Sequence, residues 1–264
     1  MSGQDNSGQS LIGRTALVTG GSRGVGASVA RELAAAGARV ALTYHSSPEA
    51  AQSVVADIEA CGGTAVAVHA SAGEADSWAK ALERIADVLG DVDLLVSNAG
   101  IASRGRSIAS TAAEEFLSLL AVHALGPLAL IRDLIPGMRT KGRSDIIMIS
   151  SSVVDACPPN TAPYTMAKAA MESACRVLAR EERRHGIRVN IIAPGLVDTD
   201  MGAKLVAATD GTTIDQTEAA APFGRVCKPS DVGRLVVYFA GQGGEYITGQ
   251  RITIDGGGQD PAIY

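Results

Sequence analysis

Short apolar runs rich in Val, Ile and Leu alternate along the chain with longer stretches in which apolar residues recur every three or four positions. The short runs, bounded by Gly, Pro and Ser, predict buried β-strands, and the longer periodic stretches predict amphipathic helices. Seven strands are predicted in this way, at residues 15–19, 39–44, 64–69, 94–96, 145–149, 188–193 and 250–254. Strands that alternate with helices predict an α/β fold built on a parallel sheet.

The helical pattern recurs between the strands and gives no sign of a linker or a second domain. It predicts a helix from Val25 and others at residues 48–60, 74–89, 114–138, 163–185 and 230–240. In the helix at 163–185, the expected apolar face consists of Ala167, Ala170, Met171, Ala174, Val177 and Leu178.

Two segments lack this periodicity. Residues 196–223 are rich in Ala, Thr and Asp and follow the predicted site, so we expect a mobile substrate lid there. Residues 1–10 are polar and rich in Gly and Ser, without the charged and apolar regions of a signal peptide. They predict a disordered tail before a single domain of residues 11–264.

Composition and charge narrow the class of protein. The chain is 46% hydrophobic but only 3% aromatic and contains 30 glycines, which suits a parallel sheet packed by Ala-rich helices rather than a β-sandwich. A net charge of −5 without a long basic run argues against nucleic acid and anionic membranes as partners. The longest apolar stretch, residues 117–135, is interrupted by charged residues, Gly and Pro, so no membrane span is predicted.

The cysteines are widely spaced and form no pair with the spacing of metal ligands or of a redox motif. They are Cys61, Cys157, Cys175 and Cys227. Free thiols in a reducing cytosol are the simplest explanation, which predicts a cytoplasmic protein without a metal site.

The first predicted strand runs directly into the glycine-rich turn GGSRGVG, from Gly20 to Gly26. Strand, glycine turn and helix in this order form a phosphate-binding device, because glycines let backbone N–H groups approach a pyrophosphate and the helix N-terminus adds partial positive charge. The spacing is TGxxxGxG rather than the GxGxxG dinucleotide pattern, so the turn alone is a weak signal. The position of this turn in the first strand–helix unit strengthens the interpretation of a nucleotide-binding site.

The end of the second predicted strand indicates which nicotinamide cofactor would bind. NAD-preferring enzymes usually place a carboxylate here for the ribose 2′-hydroxyl, but this chain has Tyr44 and no carboxylate before Glu49. Arg23 and the hydroxyls of Ser46 and Ser47 would suit a 2′-phosphate, which favours NADP(H) over NAD(H). The alternative is a solvated loop with an incidental arginine.

The stretch SSVVDACPPNTAPYTMAK, from Ser151 to Lys168, can present a serine, a tyrosine and a lysine to one cavity. Tyr164 and Lys168 are four residues apart, which places them on one face of a helix. An ammonium about 4 Å from a phenol would lower the phenol pKa of ~10 by about three units at an effective dielectric of about 20. Lys168 alone is therefore expected to bring Tyr164 close to working pH. Chance spacing on an amphipathic helix is the alternative.

Taken in order, the motifs resemble those of the short-chain dehydrogenase/reductase family, and in general those of its 3-oxoacyl-carrier-protein reductases. They are TGGSRGVG, SNAG, the serine strand, YTMAK, APGLVDTDM and TGQRITIDGG, and they extend from Thr15 to about Gly257. The resemblance implies a doubly wound seven-stranded parallel sheet, a Rossmann fold with helices on both faces. It also implies a nicotinamide cofactor whose reactive ring lies near Pro194 and Gly195, and a homodimer or homotetramer.

The resemblance assigns roles residue by residue. Tyr164 matches the general acid/base, and Lys168 matches the residue that lowers its pKa and binds the nicotinamide ribose. Ser151 matches the catalytic serine, with Ser152 as the fallback. The residues expected to contact the cofactor, from the motifs and the resemblance together, are Gly20, Ser22, Arg23, Gly24, Val25, Gly26, Tyr44, His45, Ser46, Ser71, Asn98, Ala99, Gly100, Tyr164, Lys168, Pro194, Gly195, Val197 and Thr199.

Three positions depart from the family pattern. Ser97 replaces the first asparagine of an Asn-Asn-Ala-Gly segment, and Ser71 replaces an aspartate that often binds the adenine amino group. His123, in the segment VHALG, stands where the catalytic tetrad usually has an asparagine. Either His123 takes part in the water relay from Lys168, so that catalysis depends on histidine protonation, or it is a tolerated filler beside a helix distortion and a backbone carbonyl.

The sequence therefore favours an NADP(H)-dependent carbonyl reductase. NADPH would deliver hydride to a ketone held by Ser151 and Tyr164, and Tyr164 would protonate the alkoxide. Two alternatives stay open: an NADP-dependent secondary-alcohol or sugar dehydrogenase, and a nucleotide-sensing binding protein without turnover. An enoyl reductase fits less well, because those relatives tend to space the tyrosine and the lysine more widely.

The substrate is expected to be a small carbonyl or alcohol compound, with a 3-oxoacyl thioester as one candidate, held by residues 101–107, residues 153–162 and the lid. Arg104 and Arg106 either attract an anionic carrier such as a phosphopantetheine arm or form a solvated loop. Asp155 either hydrogen-bonds a substrate hydroxyl or caps its own loop.

Overall fold

Seven parallel strands form one sheet in the computed structural model, which describes residues 10–74, 76–209, 213–221 and 223–258. The strands are β1 (Thr15–Val18), β2 (Arg39–Tyr44), β3 (Thr64–His69), β4 (Leu94–Ser97), β5 (Ser144–Ile149), β6 (Ile187–Pro194) and β7 (Arg251–Ile254). Their order is β3-β2-β1-β4-β5-β6-β7, so the winding reverses between β1 and β4. The predicted seven-stranded, doubly wound sheet is confirmed, and such a reversal opens a ligand crevice at the carboxyl ends of the strands.

Helices cover both faces of the sheet because the strands are apolar on both sides. Ala16 and Val18 of β1 pack in one core, and Leu17 packs in the other. The helices within the described residues are α1 (Gly24–Ala35), α2 (Pro48–Ala60), α3 (Ser77–Leu89), α4 (Ala113–Leu120), α5 (Gly126–Met138), α6 (Val153–Ala156), α7 (Ala162–Glu182), α8 (Asp200–Thr209), α9 (Ile214–Ala220) and α10 (Pro229–Ala240). The first core contains α1, α2 and α10, and the second contains α3, α5 and α7.

The single helix predicted at residues 114–138 is interrupted. A π-helical turn, Ala121–Leu125, joins α4 to α5 and contains His123. By length and composition the whole stretch could cross a membrane, a property that core helices of globular proteins share. Here it packs against α7 and buries side chains such as Leu119 and Leu130 inside the protein.

The predicted lid, residues 196–223, contains two helices where the periodicity indicated none. They are α8 and α9, and a capping box of Thr213 and Gln216 begins the second. Their sequences are rich in good helix formers but form no continuous apolar stripe, which explains why periodicity alone missed them. Residues 210–212 and 222 of this segment, and residues 1–9 of the predicted tail, lie outside the described part of the chain.

The apolar face predicted for α7 is partly wrong. Val177 is 53% exposed, and Ala170 also faces solvent. Two carboxylates, Glu172 and Glu182, are buried on this helix instead. Arginines pair with both of them, and a count of apolar residues cannot register a buried ion pair.

An ion-pair network fixes the amino end of the sheet, opposite the carboxyl ends of the strands. The buried Asp145 of β5 accepts hydrogen bonds from Arg14 at 2.9 Å, Arg188 at 2.8 Å and Arg143 at 3.4 Å. Arg14 also pairs with Asp93 at 2.7 Å. Because these residues stand at or just before the starts of β1, β4, β5 and β6, one network joins four neighbouring strands.

Candidate active site

The glycine turn between β1 and α1 is closely packed on itself. Gly20 and Gly24 adopt positive φ angles of 66° and 55°, which a side chain would strain. A Cβ atom at Gly26 would collide with the carbonyl oxygen of Gly20 and lie 2.6 Å from Nδ2 of Asn98. The turn therefore needs glycine at these positions, and its exposed backbone forms a cradle at the amino end of α1.

Asn98 ties the end of β4 to this turn. Its Nδ2 donates to the carbonyl oxygens of Thr19 at 3.0 Å and Gly20 at 3.1 Å. The backbone N–H groups of Asn98 and Ala99 both donate to the hydroxyl oxygen of Thr19, each at 3.0 Å. Thr19 is absent from the predicted site, although its position directly before the glycines was the available signal.

Three rings cluster where β2 and β3 end. Tyr44 and His69 are register partners, and their rings meet edge to face with centroids 5.7 Å apart. His45 stacks on His69 at 6.1 Å with 27° between the planes. This ring cluster (Tyr44, His45 and His69) includes one unpredicted residue, His69. Its place at the end of a strand next to β2 was the signal that could have revealed it.

The other residues predicted around the ring cluster lie at the surface or form local contacts. Arg23 is exposed at the N-cap of α1, and Ser46 is exposed after β2. The backbone N–H of Ser71 donates to the Ser77 hydroxyl oxygen at 3.2 Å, and that hydroxyl donates to the Ser71 carbonyl at 2.9 Å. Glu49, the first carboxylate after β2, is exposed in the first turn of α2.

The predicted serine, tyrosine and lysine converge at the end of β5. A side-chain hydrogen bond joins Ser151 to Tyr164. Nζ of Lys168 lies 5.7 Å from the centroid of the Tyr164 ring and donates to the Ile149 carbonyl at 2.7 Å. The backbone N–H of Ser152 donates to the Pro194 carbonyl at 2.8 Å, and among the described residues its hydroxyl forms no hydrogen bond with Tyr164.

Burial dominates the protonation of this group. Burial raises the pKa of Tyr164 to about 12, and the hydrogen bond from Ser151 opposes this rise. Burial lowers the pKa of Lys168 to about 8, and the carboxylate of Glu172 opposes this decrease. The expectation that Lys168 alone brings Tyr164 close to working pH is therefore wrong for this arrangement, because burial of the phenol is the largest influence on its pKa and acts in the opposite direction.

His123 lies in the π-helical turn with its ring against Tyr164. Its Nε2 is 2.8 Å from the Ile101 carbonyl oxygen and 3.3 Å from the Ile101 backbone nitrogen. Its Nδ1 is buried without a hydrogen-bond partner among the described residues. A Cβ atom at Gly100 would lie 2.6 Å from Cε1 of the imidazole, so the glycine makes room for the ring.

This environment keeps His123 uncharged. Burial, followed by the positive charge of Lys168, lowers the pKa of His123 to about 3. A relay that depends on protonation of this imidazole would therefore not operate at neutral pH. The geometry favours the other alternative, in which the helix distortion is what matters at this position, since a π-helical turn frees backbone groups from the regular helical pattern.

The segment after β6 closes the site from the far side. The backbone N–H of Gly195 donates to the Ile254 carbonyl at 3.2 Å, and a Cβ atom at Gly195 would lie 2.8 Å from that of Asp255. Thr199 directly precedes α8, and its hydroxyl oxygen accepts the Gly202 N–H at 3.1 Å. A Cβ atom at Gly24 would lie 3.3 Å from Cγ2 of Thr199, so this segment reaches the glycine turn.

Two residues of the expected substrate wall have defined surroundings. Asp155 pairs through Oδ2 with Arg251 at 2.7 Å, and its side chain is 66% exposed. The backbone N–H of Arg104 donates to Glu115 at 2.7 Å, while the side chains of Arg104 and Arg106 are exposed. Among the described residues no group of three or more His, Cys, Asp or Glu side chains could hold a metal ion.

Comparison with known proteins agrees with this architecture. A family model described as enoyl-(acyl carrier protein) reductase matches residues 20–259. Versicolorin reductase stcU from Emericella nidulans is 34% identical over 266 residues, which cover 97% of this chain and 99% of the relative.

Two solved structures superpose on nearly the whole chain. A dehydrogenase/reductase from Sinorhizobium meliloti 1021 has a TM-score of 0.86 and 37% identity, covering 96% of this chain and 97% of its own. A short chain dehydrogenase from Burkholderia cenocepacia J2315, in complex with NADP, has a TM-score of 0.85 and 36% identity, covering 94% and 98%. With the sheet order, the glycine turn and the converging serine, tyrosine and lysine, these matches show that the chain belongs to the short-chain dehydrogenase/reductase family of oxidoreductases.

Proposed function

We propose that the protein is an NADP(H)-dependent reductase of ketones with Tyr164 as the proton donor. The observation that carries this proposal is the convergence of Ser151, Tyr164 and Lys168 near the glycine turn at the carboxyl edge of the sheet. Two hydroxyls can hold a carbonyl oxygen, and preorganised donors stabilise the negative charge that develops there during hydride addition.

The carboxyl edge of the sheet fits a dinucleotide. Backbone N–H groups of the glycine turn and the amino end of α1 would hold the pyrophosphate, and Pro194 and Thr199 would face the nicotinamide. Arg23 and the ring cluster, with no carboxylate at the end of β2, suit a 2′-phosphate. When bound, the cofactor supplies the hydride. The NADP complex of the Burkholderia cenocepacia structure supports the choice of NADP(H).

Tyr164 would act in either direction of the reaction. With a pKa raised to about 12 by burial, the phenol carries the proton that it would donate to a developing alkoxide in reduction. In oxidation the same tyrosine would accept the proton of the alcohol. Lys168 would stabilise negative charge on the tyrosine oxygen at the moment of transfer. An alcohol or sugar dehydrogenase is therefore the second candidate.

The substrate we propose is a ketone, and a 3-oxoacyl thioester is one candidate. Arg104 and Arg106 are exposed in the loop after β4, where they would attract an anionic carrier. The relative from Emericella nidulans is named for the reduction of versicolorin, so a carrier-free ketone is the other candidate. The spacing of Tyr164 and Lys168 argues against reduction of an enoyl group, despite the name of the matching family model.

We propose a homodimer or homotetramer for the assembly. Large apolar side chains are exposed on α4, on the π-helical turn and on α7, which pack against one another: Leu117, Leu125, Met166 and Val177. A self-complementary pairing of this face would remove them from water. The four free cysteines support a reducing compartment, and we propose a cytoplasmic location.

NADPH oxidation against a panel of 3-oxoacyl thioesters, diketones, quinones and simple ketones tests the function. Turnover that is lost in Tyr164→Phe but kept in Tyr238→Phe, a control on the surface of α10, is the expected result. NADPH binding without turnover of any carbonyl would instead support the nucleotide-sensing protein.

A further inference from the structure

A buried carboxylate lies one helical turn beyond Lys168 on α7. Glu172 is 1% exposed, and its Oε1 accepts hydrogen bonds from the Ser150 hydroxyl at 2.5 Å and from Nε of Arg251 at 2.8 Å. Its Oε2 accepts from Arg176 at 3.1 Å. A carboxylate with this degree of burial is retained only where paired donors satisfy it, and here the donors come from the residue after β5, from β7 and from α7.

Arg251 extends from β7, at the edge of the sheet, to the loop that follows β5. One Nη donates to the Ser151 carbonyl at 3.2 Å. The other donates to the Thr253 hydroxyl oxygen at 2.7 Å and pairs with Asp155 at 2.7 Å. With Nε on Glu172, all three guanidinium nitrogens are occupied.

Three consecutive residues at the end of β5 are therefore each held by a charged side chain. Lys168 holds the Ile149 carbonyl, Glu172 holds the Ser150 hydroxyl and Arg251 holds the Ser151 carbonyl. Glu172 is also the carboxylate that both neighbouring cations share. It contacts the partly buried Arg251 of β7 and opposes the lowering of the pKa of the buried Lys168, one helical turn before it on α7.

We propose that Glu172 and Arg251 form a clamp that positions Ser151 and, through Asp155, the following loop for carbonyl reduction. This inference rests on the proposed function. Both are positioning residues, because neither contacts the group that would react. Small displacements of reacting groups, on the order of 1 Å, lower rates by about 10²-fold, so a clamp on the backbone of Ser151 has a direct effect on turnover.

Position 251 requires an arginine because the side chain there has several partners at once. A lysine has one nitrogen on a flexible stem and cannot reach Glu172, Asp155 and the Ser151 carbonyl together. Arg251→Lys keeps the charge and removes the fork, and Glu172→Gln keeps the shape and removes the charge. Asp155→Asn alters only the outer arm of the clamp, at a side chain that is 66% exposed.

The chain offers a matched control on the same helix. The buried Glu182 accepts two hydrogen bonds from Arg139, at 2.6 and 2.8 Å, without contacting the end of β5. Glu182→Gln and Arg139→Lys therefore break an ion pair of the same kind away from the site. They report what loss of such a pair does to stability alone.

Two measurements on purified full-length variants test the clamp. We expect hydrogen–deuterium exchange of residues 151–160 to be ~10-fold faster or more in Arg251→Lys and Glu172→Gln, less in Asp155→Asn, and unchanged in the control pair. With the ketone that the panel identifies, we expect kcat to fall ~10- to 100-fold in the clamp variants while the Kd for NADPH stays within about twofold.

The outcomes separate the clamp from the proposed function. Exchange at residues 151–160 that is equal in clamp and control variants would overturn the clamp, as would an unchanged kcat in Arg251→Lys. If the variants at Arg251 and Glu172 fail to fold, the exchange measurement on Asp155→Asn tests the clamp instead. A wild type that reduces no carbonyl refutes the proposed function alone, because exchange still decides whether Arg251 and Glu172 hold the loop.

Discussion

The imidazole of His123 stands edge-on to the ring of Tyr164, with 5.1 Å between the ring centroids and 82° between the planes. Its Nε2 faces both backbone groups of Ile101 and can satisfy only one of them at a time. A side-chain amide, with one donor and one acceptor atom, could serve both. The histidine thus occupies this position with Nδ1 unpaired among the described residues and its ring against Tyr164.

His123→Asn is expected to flatten the acid side of the stability profile. The unfolded histidine takes up a proton near pH 6.5, whereas burial holds the folded value at about 3. The unfolded state therefore binds more protons between these values, and wild-type stability falls as pH drops, by up to about 1.4 kcal/mol per pH unit. Urea denaturation from pH 7 to pH 4 measures the slope. His185→Asn, at a surface turn, serves as the control, and parallel slopes for wild type and His123→Asn would contradict the assignment.

The alkaline limb of the rate profile should report Lys168. Its pKa of about 8 means that the ammonium, and with it the rate of ketone reduction, is lost as pH rises through that value. Glu172 is the charge that opposes this shift, so Glu172→Gln should move the limb to lower pH. Tyr164, Cys175 and His123, the other titratable groups that face Lys168, are neutral there, with pKa values of about 12, 12 and 3. If Glu182→Gln moves the alkaline limb by the same amount, the shift does not report a specific effect of Glu172 on Lys168.

Cofactor choice should depend on Arg23. Its removal in Arg23→Ser is expected to raise the Kd for NADPH by about 10- to 100-fold and to leave that for NADH within about twofold, because only the former carries the 2′-phosphate. Fluorescence titration of both nucleotides measures the two constants. Arg31→Ser, on the same helix but paired with Asp57, is the control. Equal losses for NADPH and NADH would count against a 2′-phosphate contact.

The network around Asp145 should matter for stability and not for chemistry. Asp145→Asn leaves Arg14, Arg143 and Arg188 without their shared buried carboxylate and is expected to cost about 3–5 kcal/mol of unfolding free energy. Asp57→Asn, in an exposed pair, should cost less than about 1 kcal/mol. Chemical denaturation compares the two variants. A kcat changed in the folded Asp145→Asn protein would show that the two ends of the sheet are coupled.

The strands were the most predictable part of the fold. Each lies within one residue of its predicted bounds, because fully buried parallel strands leave unbroken apolar runs between glycines and polar turns. Tyr164 and Lys168 were equally accessible, since their spacing places them on one face of a helix, and Ser151 followed from the family resemblance.

The other features of the fold and of the site depend on burial and on pairing between residues far apart in the chain, which the amino-acid sequence does not show. The π-helical turn at Ala121–Leu125 keeps the apolar pattern of an ordinary helix, so nothing marks it. From the sequence alone, Glu172 is a charged residue on a helix and is expected to be exposed to solvent. Only the folded structure shows that donors from the end of β5 and from β7 pair with it. The direction of the pKa shift of Tyr164 reversed for the same reason, because spacing gives the distance to Lys168 but not the loss of water around the phenol.

The position of Arg251 in the last strand has a consequence for synthesis. A chain emerging from the ribosome carries the glycine turn, Ser151, Tyr164 and Lys168 long before Arg251 is made. Until β7 pairs with β6, the Ser151 carbonyl and the Asp155 carboxylate lack the guanidinium that contacts both of them. The last strand therefore completes the contacts around the loop after β5, and a chain cleaved before Arg251 would lack them.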